Sequence, residues 1–214
     1  MMEQRRNKRT QQTQAQIRAA AQRLFLQNGY LATSTDAILA EAGIASKETL
    51  YRHYPSKEEL FVDVIKNLTL EQPRFAAQLA ELPEIHDLPS LQQALATVAR
   101  EIFSVMCQPE YPALLRVVIA EMPRVPQLST LFRDTVPRRG LSMITSLLQQ
   151  AKERNLIDDL DFDAVAHSLI GGLLTYALVD FVFTGENAQP PHLNRADAVV
   201  EVIMRALSHQ NDTE

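Results

Sequence analysis

An all-α fold with a small head followed by a larger helical body is what this sequence predicts, and three observations carry that prediction. The composition is helix-forming: 214 residues with only 6 Gly, no Trp, and Ala, Leu, Glu and Gln recurring throughout. Apolar residues recur at i, i+3, i+4, i+7 and i+8 from Ile17 to Phe25, and further stripes of this kind follow along the body. The charge is divided: residues 1–60 hold 9 Lys/Arg against 6 Asp/Glu and residues 61–214 hold 12 against 20. A head of +3 therefore precedes a body of −8 within a chain of net −5. A basic head on an acidic body fits local contact with nucleic acid and repels it from the wrong face.

Residues 1–12 (MMEQRRNKRTQQ) carry Arg5, Arg6, Lys8 and Arg9 and almost no apolar side chain. They read as a mobile basic arm, suited to phosphates or to a minor groove. From Thr13 the pattern turns helical, with Ile17, Ala20, Ala21, Leu24 and Phe25 on one stripe and Asn28-Gly29 as the stop. Thr33, Ser34 and Thr35 offer N-cap oxygens for a second helix that Gly43 ends. Ser46 is the expected cap of a third, running to about His53 with Leu50 and Tyr54 facing inward. Around its other faces Lys47 with Tyr51, Glu48 with Arg52 and Thr49 with His53 stand four apart. Pro55 breaks it, and Ser56 with Glu59 has the spacing of a capping box for a fourth helix, a lever out of the head.

Beyond residue 71 the expected helices fall near 74–82, 89–107, 111–122, 127–153, 161–185 and 194–209, with Pro137 kinking or starting a helix. The apolar window 164–183 is interrupted by His167 and Asp180 and flanked by Asp158, Asp159, Asp161 and Asp163. That leaves it short of the ~20 residues of a span, so a core or interface helix is expected and no membrane partner. Gly171-Gly172 within it costs about 1 kcal/mol per glycine relative to alanine, which close approach of another helix would offset. With its neighbour at 138–153 it would suit a two-fold four-helix interface.

The single Cys107 forms no internal disulfide and has no basic neighbour in sequence, which favours an inert thiol in a cytoplasmic setting. No nucleophile elbow, phosphate-binding glycine loop or metal-ligand spacing is present, so neither catalysis nor a cofactor nor a metal is expected. Phe75, Phe103, Met106, Tyr111, Phe132 and Tyr176 are the candidates for lining an apolar ligand pocket in the body.

Ala20-Ala21, Leu24-Phe25, Gly29-Tyr30, Thr33-Ser34, Ile38, Ala42-Gly43, Thr49-Leu50-Tyr51, His53-Tyr54 and residues 56–61 (SKEELF) together resemble the N-terminal domain of the TetR family of bacterial regulators. The run LLRVVIAEMPRVPQLSTLF at 114–132 resembles the C-terminal domain of its AefR-like subgroup. The resemblance implies a helix-turn-helix DNA-binding domain at 13–55 and a ligand-binding and dimerisation domain at 56–214, linked through a helix at 56–71. It implies double-stranded DNA and a small-molecule effector as partners, and a homodimer formed through the last two long helices. Thr35, Tyr51, His53 and Lys57 match backbone-contacting positions. Lys47, Thr49 and Arg52 are candidates for base edges, with Ser46 beside them.

Two departures matter. One extra residue, Ala45 or Ser46, precedes the third helix and threatens its phase by up to ~100°. Glu48 stands where the family places a small residue or proline; pairing with Arg52 is preferred to reading cytosine N4. The leading expectation is a repressor released from a pseudo-palindromic operator by a small apolar molecule. The alternative is an interaction module of the same fold, controlled by a protein partner, with weakened DNA reading.

Overall fold

The computed structural model describes residues 2–69, 77, 81–121, 123–184 and 189–208. Every regular element among them is a helix: α1 (Met2–Asn28), α2 (Thr35–Ala42), α3 (Lys47–His53), α4 (Lys57–Thr69), α5 (Leu88–Met106), α6 (Tyr111–Glu121), α7 (Pro126–Thr135), α8 (Pro137–Glu153), α9 (Phe162–Ala177) and α10 (Asn194–Ser208). The helix expected at 74–82 and the candidate Phe75 lie outside the described residues, apart from the isolated Ala77 and the last two positions.

Packing divides the chain into two units, Met1–Leu70 with Ala113–Thr135, and Glu71–Pro112 with Val136–Glu214. The first therefore holds α1–α4, most of α6, and α7, whereas division at residue 55 leaves α4 with the body. The reason is the apolar face of α4: Leu60, Phe61, Val64 and Ile65 are buried, and α4 packs on both α1 and α7. Phe25, Tyr30 and Phe61 meet with ring centroids 5.0–5.6 Å apart, Phe25 and Phe61 edge to face. Such pairs contribute ~0.5–1.5 kcal/mol beyond the area they bury.

Two turns in the head need glycine. Gly29 follows α1 at φ 86° and Gly43 follows α2 at φ 67°, left-handed values that cost a side-chain-bearing residue about 1–2 kcal/mol. Ser34 caps α2, its Oγ accepting Ala37 N–H at 3.1 Å, while the buried Thr33 hydroxyl reaches Gly29 O at 2.8 Å and Leu24 O at 3.1 Å. Ser46 occupies the N-cap position of α3 but makes no side-chain cap bond. Ser56 Oγ accepts Glu59 N–H at 3.2 Å, which starts α4.

The N-terminal segment expected as a mobile arm is the start of α1, which begins at Met2. Gln, Arg and Lys are good helix formers, and this stretch continues an established helix without needing a new nucleus.

In the second unit α5, α8, α9 and α10 surround one apolar core, in which Leu91, Leu95, Phe103, Ile144, Leu148, Leu169, Leu173 and Val200 are buried. Asp87 caps α5 in a full capping box with Ser90, and Asp161 caps α9 by accepting Ala164 N–H at 3.0 Å. The helix expected over 127–153 is two helices. α7 ends at Thr135, and α8 begins with Pro137 in its first turn, where the missing N–H costs nothing.

Past Ala177, α9 widens into a π-helical turn over Leu178–Val182. The whole stretch Phe162–Val182 is long and apolar enough to cross a membrane by length and composition alone. Its buried side, Ala166, Leu169, Leu173 and Ala177, packs in the core of this unit. The two glycines divide the expected role: a methyl built on Gly172 would meet Val199 at 3.3 Å, whereas one on Gly171 would meet nothing within 4 Å. Close approach explains the first and not the second.

Candidate nucleic-acid interface

The candidate recognition element is α3, held by what it buries. Leu50 is fully buried and Tyr54, its C-cap, is 4 % exposed. Tyr54 Oη donates to Asp63 Oδ2 on α4, with Gln14 of α1 also within hydrogen-bonding reach of the hydroxyl. Burial, followed by that bond to Asp63, pushes the phenol well above its ordinary pKa. Residues 43–46 form the turn before α3, Ile44 half-buried and the other three exposed, and the helix that follows seats Leu50 and Tyr54 inside.

With that phase set, the other side chains sort by face. Lys47, Glu48, Tyr51 and Arg52 are exposed, and Thr49 and His53 are half-buried. Lys47 Nζ reaches Asp36 Oδ1 on α2 at 2.7 Å, and this carboxylate holds the ammonium above its usual pKa. Arg52 Nη2 meets Glu48 Oε1 at 3.0 Å, the i, i+4 pair expected from the spacing. Both candidate base readers are thus in exposed surface ion pairs, each contributing little to stability. Ser46 is exposed in the turn, and Thr35 is half-buried in the first turn of α2.

Lys57 behaves differently. Its Nζ lies 4.2 Å over the Tyr30 ring. Desolvation lowers its pKa, opposed by the charges of Glu58 and Glu121. Tyr30 is shifted upward, by burial first and then by its bond to Glu58.

Three contacts in this unit escaped the sequence reading. Asp36 and Lys47 are eleven residues apart on different helices, which no helical periodicity reveals. Glu121, at the end of α6, is buried; its Oε1 accepts Leu31 N–H at 3.4 Å, and Oε2 has no hydrogen-bond partner among the described residues. Arg9, Thr10 and Thr13 of α1 form a cleft of about 360 Å³ with Thr49, Arg52 and His53 of α3. This last one had a signal, because positions 9 and 13 continue the stripe of Ile17 backwards in steps of four.

The candidates for a ligand pocket do not converge. Phe103, Met106, Tyr111 and Tyr176 share the apolar cluster of the second unit, Phe103 and Met106 buried and the two tyrosines partly so. Tyr111 is pushed up to about 12 by burial, and Arg195 lies 5.3 Å over the Tyr176 ring. Phe132 instead belongs to the first unit, where it lines a gap too narrow for a water molecule with Phe61, Val117, Val118, Glu121 and Leu128. Leu128 and Phe132, four apart, are the face of α7 turned toward α4. Cys107, raised to about 11 by burial, directs its thiol to Pro191 O at 3.7 Å.

Comparison with known proteins agrees with this fold. Residues 17–64 match the family model of bacterial regulatory proteins described as the tetR family. Residues 93–208 match that of the AefR-like transcriptional repressor C-terminal domain. An uncharacterised HTH-type transcriptional regulator of Mycobacterium tuberculosis is 27% identical over 167 residues, covering 76% of this chain and 74% of its own length. The HTH-type transcriptional regulator UidR of Escherichia coli is 30% identical over 125 residues, covering 58% and 59%. A solved TetR-family regulator of Mesorhizobium loti superposes with a TM-score of 0.71 at 29% identity, covering 92% of this chain and 98% of its own. The flavonoid-responsive regulator FrrA gives 0.64 at 26%, covering 91% and 96%.

Proposed function

This chain belongs to the tetR family of bacterial regulatory proteins, a helix-turn-helix DNA-binding transcriptional regulator and not an enzyme, and from that premise we propose that it is a homodimeric repressor released from its operator by a small apolar molecule. The observation that carries the DNA side is the outward face of α3. Leu50 and Tyr54 fix the helix from below and leave Lys47, Tyr51 and Arg52 exposed on one surface. Lys47 and Arg52 exchange Asp36 and Glu48 for guanine O6 and N7 in the major groove, and Tyr51, Thr35 and Lys57 contact backbone phosphates. The alternative module without DNA reading is not favoured, because Glu48 is neutralised by Arg52 and α3 seats Leu50 and Tyr54 inside.

Dimerisation through α9 and α10 is supported by their open faces. Ala164, Ser168 and Thr175 on α9 and Val179 in the π-helical turn after it are exposed, with the open side of Gly171 among them, and Ala198, Val202 and Ala206 are exposed on α10. The exposed face of α8 is polar (Ser142, Ser146, Gln149, Glu153), which argues against the pairing of 138–153 with 162–183 and for the last two long helices. The two heads then meet half-sites one helical turn, or a multiple of it, apart.

An effector seated among Phe103, Met106, Tyr111 and Tyr176 releases DNA by favouring a conformer whose heads no longer match that spacing, and DNA weakens effector binding by the same factor. FrrA is described as responsive to flavonoids, which makes flat aromatic compounds the first class to try. Fluorescence anisotropy on the DNA upstream of this protein's own gene, with and without such compounds, tests the reading. A specific complex that dissociates on addition supports it, and no preference over unrelated DNA at moderate salt overturns it.

A further inference from the structure

We infer that the N-terminal turns of α1 and the inner face of α3 form a seat for one DNA backbone phosphate, with Arg9 as its charged ligand and the Thr49 hydroxyl and His53 ring as further donors. The inference rests on the DNA-reading role proposed above and adds a contact outside the helix-turn-helix itself.

The argument begins with the phase of α1. Ile17, Ala20 and Ala21 are fully buried in the head. Read backwards in steps of three and four, the same face presents Thr13 with Gln14, then Arg9 with Thr10. The stripe that builds the core thus turns polar and basic two turns before Ile17, ~12 Å along the axis at 1.5 Å per residue. There it overhangs α3 instead of the core.

What it faces is the half-buried pair Thr49 and His53, four apart on α3, and with Arg52 these residues close a cleft of about 360 Å³. Arg52 meets Glu48 at 3.0 Å in the free protein and turns to a base in the complex proposed above, so its charge does not serve the seat. Arg9 is exposed and supplies the remaining positive charge of the lining. One guanidinium, the Thr49 hydroxyl and an imidazole make a lining of hydrogen-bond donors suited to a singly charged oxyanion, while the Thr13 hydroxyl donates to Arg9 O at 3.0 Å within α1.

The shape selects which part of DNA enters. A helix with side chains is about 10–12 Å across and the minor groove about 6 Å wide, so this segment cannot thread the groove as an extended arm would. It lies beside the recognition helix, where the strand bordering the major groove passes. Thr49 accordingly faces a phosphate and not a thymine methyl. Such a contact adds affinity without sequence information.

The test is the salt dependence of full-length protein binding to a mixed-sequence duplex and to the upstream region, by anisotropy between ~50 and ~200 mM KCl. Arg9→Gln should lower the slope of log K against log[KCl] by about 0.9, equally on both duplexes. Thr49→Val should weaken binding on both with the slope unchanged, and Arg139→Gln, the same charge change on α8, should alter neither. A steep wild-type slope that Arg9→Gln leaves intact overturns the phosphate seat while leaving the DNA-reading role standing. A wild-type slope near zero overturns both. Loss of preference for the upstream region in Arg9→Gln shows base reading and overturns the seat. Titration with inorganic phosphate at constant ionic strength, followed at the Thr13 and Thr49 amides by NMR, separates the sources. Displacement of phosphate by duplex, or no response below duplex-binding conditions, supports a DNA seat; saturation that duplex does not displace marks a free-ion site and overturns it.

Discussion

Tyr54 donates its hydroxyl to Asp63 Oδ2 at 2.5 Å, and Arg18 Nη1 stands 3.5 Å from the same oxygen. One carboxylate thereby joins α1, the end of α3 and α4. The angle at which the recognition helix leaves the head depends on this partly buried bond as much as on Leu50. Tyr54→Phe keeps the ring and removes the donor to a charged acceptor, for which a loss of about 1–2 kcal/mol is expected. Urea unfolding followed by circular dichroism should show a lower midpoint at unchanged m-value. An unchanged midpoint would mean that the ring alone holds α3.

Gly29 and Glu121 make a second joint. Gly29 sits at φ 86°, and a Cβ placed on it would lie 2.8 Å from Glu121 Oε1. Gly29→Ala combines backbone strain of about 1–2 kcal/mol with displacement of the carboxylate from Leu31 N–H. Glu121→Ala in the same chain should recover part of that loss. A double-mutant cycle on thermal stability measures the coupling. Strict additivity would show that the carboxylate plays no part in holding the α1–α2 turn.

The capping box of α5 gives a pH dependence with a definite sign. The Ser90 hydroxyl and then the Ser90 N–H hold the Asp87 carboxyl below its ordinary 3.8. A depressed acid stabilises the fold fully above the unfolded pKa and loses that contribution as pH falls through the folded one. Asp87→Ala should therefore lower Tm by a constant amount from neutral pH down to about the ordinary aspartate range. Below it the gap to wild type should narrow. A gap that widens on acidification would contradict the assignment.

How much of this was legible beforehand follows from the range of each interaction. Caps, stops and stripes act within a turn or two of helix, so Ser34, Gly43, Leu50 and the Glu48–Arg52 pair could be read from spacing. Asp36 with Lys47 and Glu121 with Leu31 join residues brought together only by packing, and nothing local encodes them. Pro137 was ambiguous because a proline both kinks a helix and starts one; the break at Thr135 follows from which face packs on α4. The basic arm was misjudged by composition, since a polar stretch at the end of a helix needs no core of its own to extend it. The ligand candidates shared only apolarity, a property of every core residue, and so Phe132 fell in a different unit from Tyr111 and Tyr176.

Exposed apolar side chains on α10 make the association surface testable. Val202 is 67% exposed, between Ala198 and Ala206 on the same face. Val202→Glu places a charge there with no cost to the core of the monomer. Sedimentation equilibrium should shift toward monomer, with helical content unchanged. Ser146→Glu on the polar face of α8 should leave the assembly intact. The reverse result would move the interface to α8.

Glu48 decides how freely Arg52 reads DNA. In the free protein its carboxylate holds the guanidinium at 3.0 Å, and both side chains are well exposed. Such a pair adds little to stability, so Glu48→Gln should leave Tm within about 0.5 kcal/mol of equivalent change. Its effect belongs to binding: removing the carboxylate frees one cation and removes one repulsion toward phosphate. Affinity for unrelated DNA should rise, with a steeper salt slope by up to about one contact. If Arg52 addresses a guanine, preference for the operator should fall at the same time, because non-specific binding gains more than the base contact. Arg52→Ala should then relax discrimination at a single operator position by about 1–3 kcal/mol. Equal gains of Glu48→Gln on operator and unrelated duplex, with no position relaxed by Arg52→Ala, would assign Arg52 to the backbone and leave Lys47 as the base reader of α3.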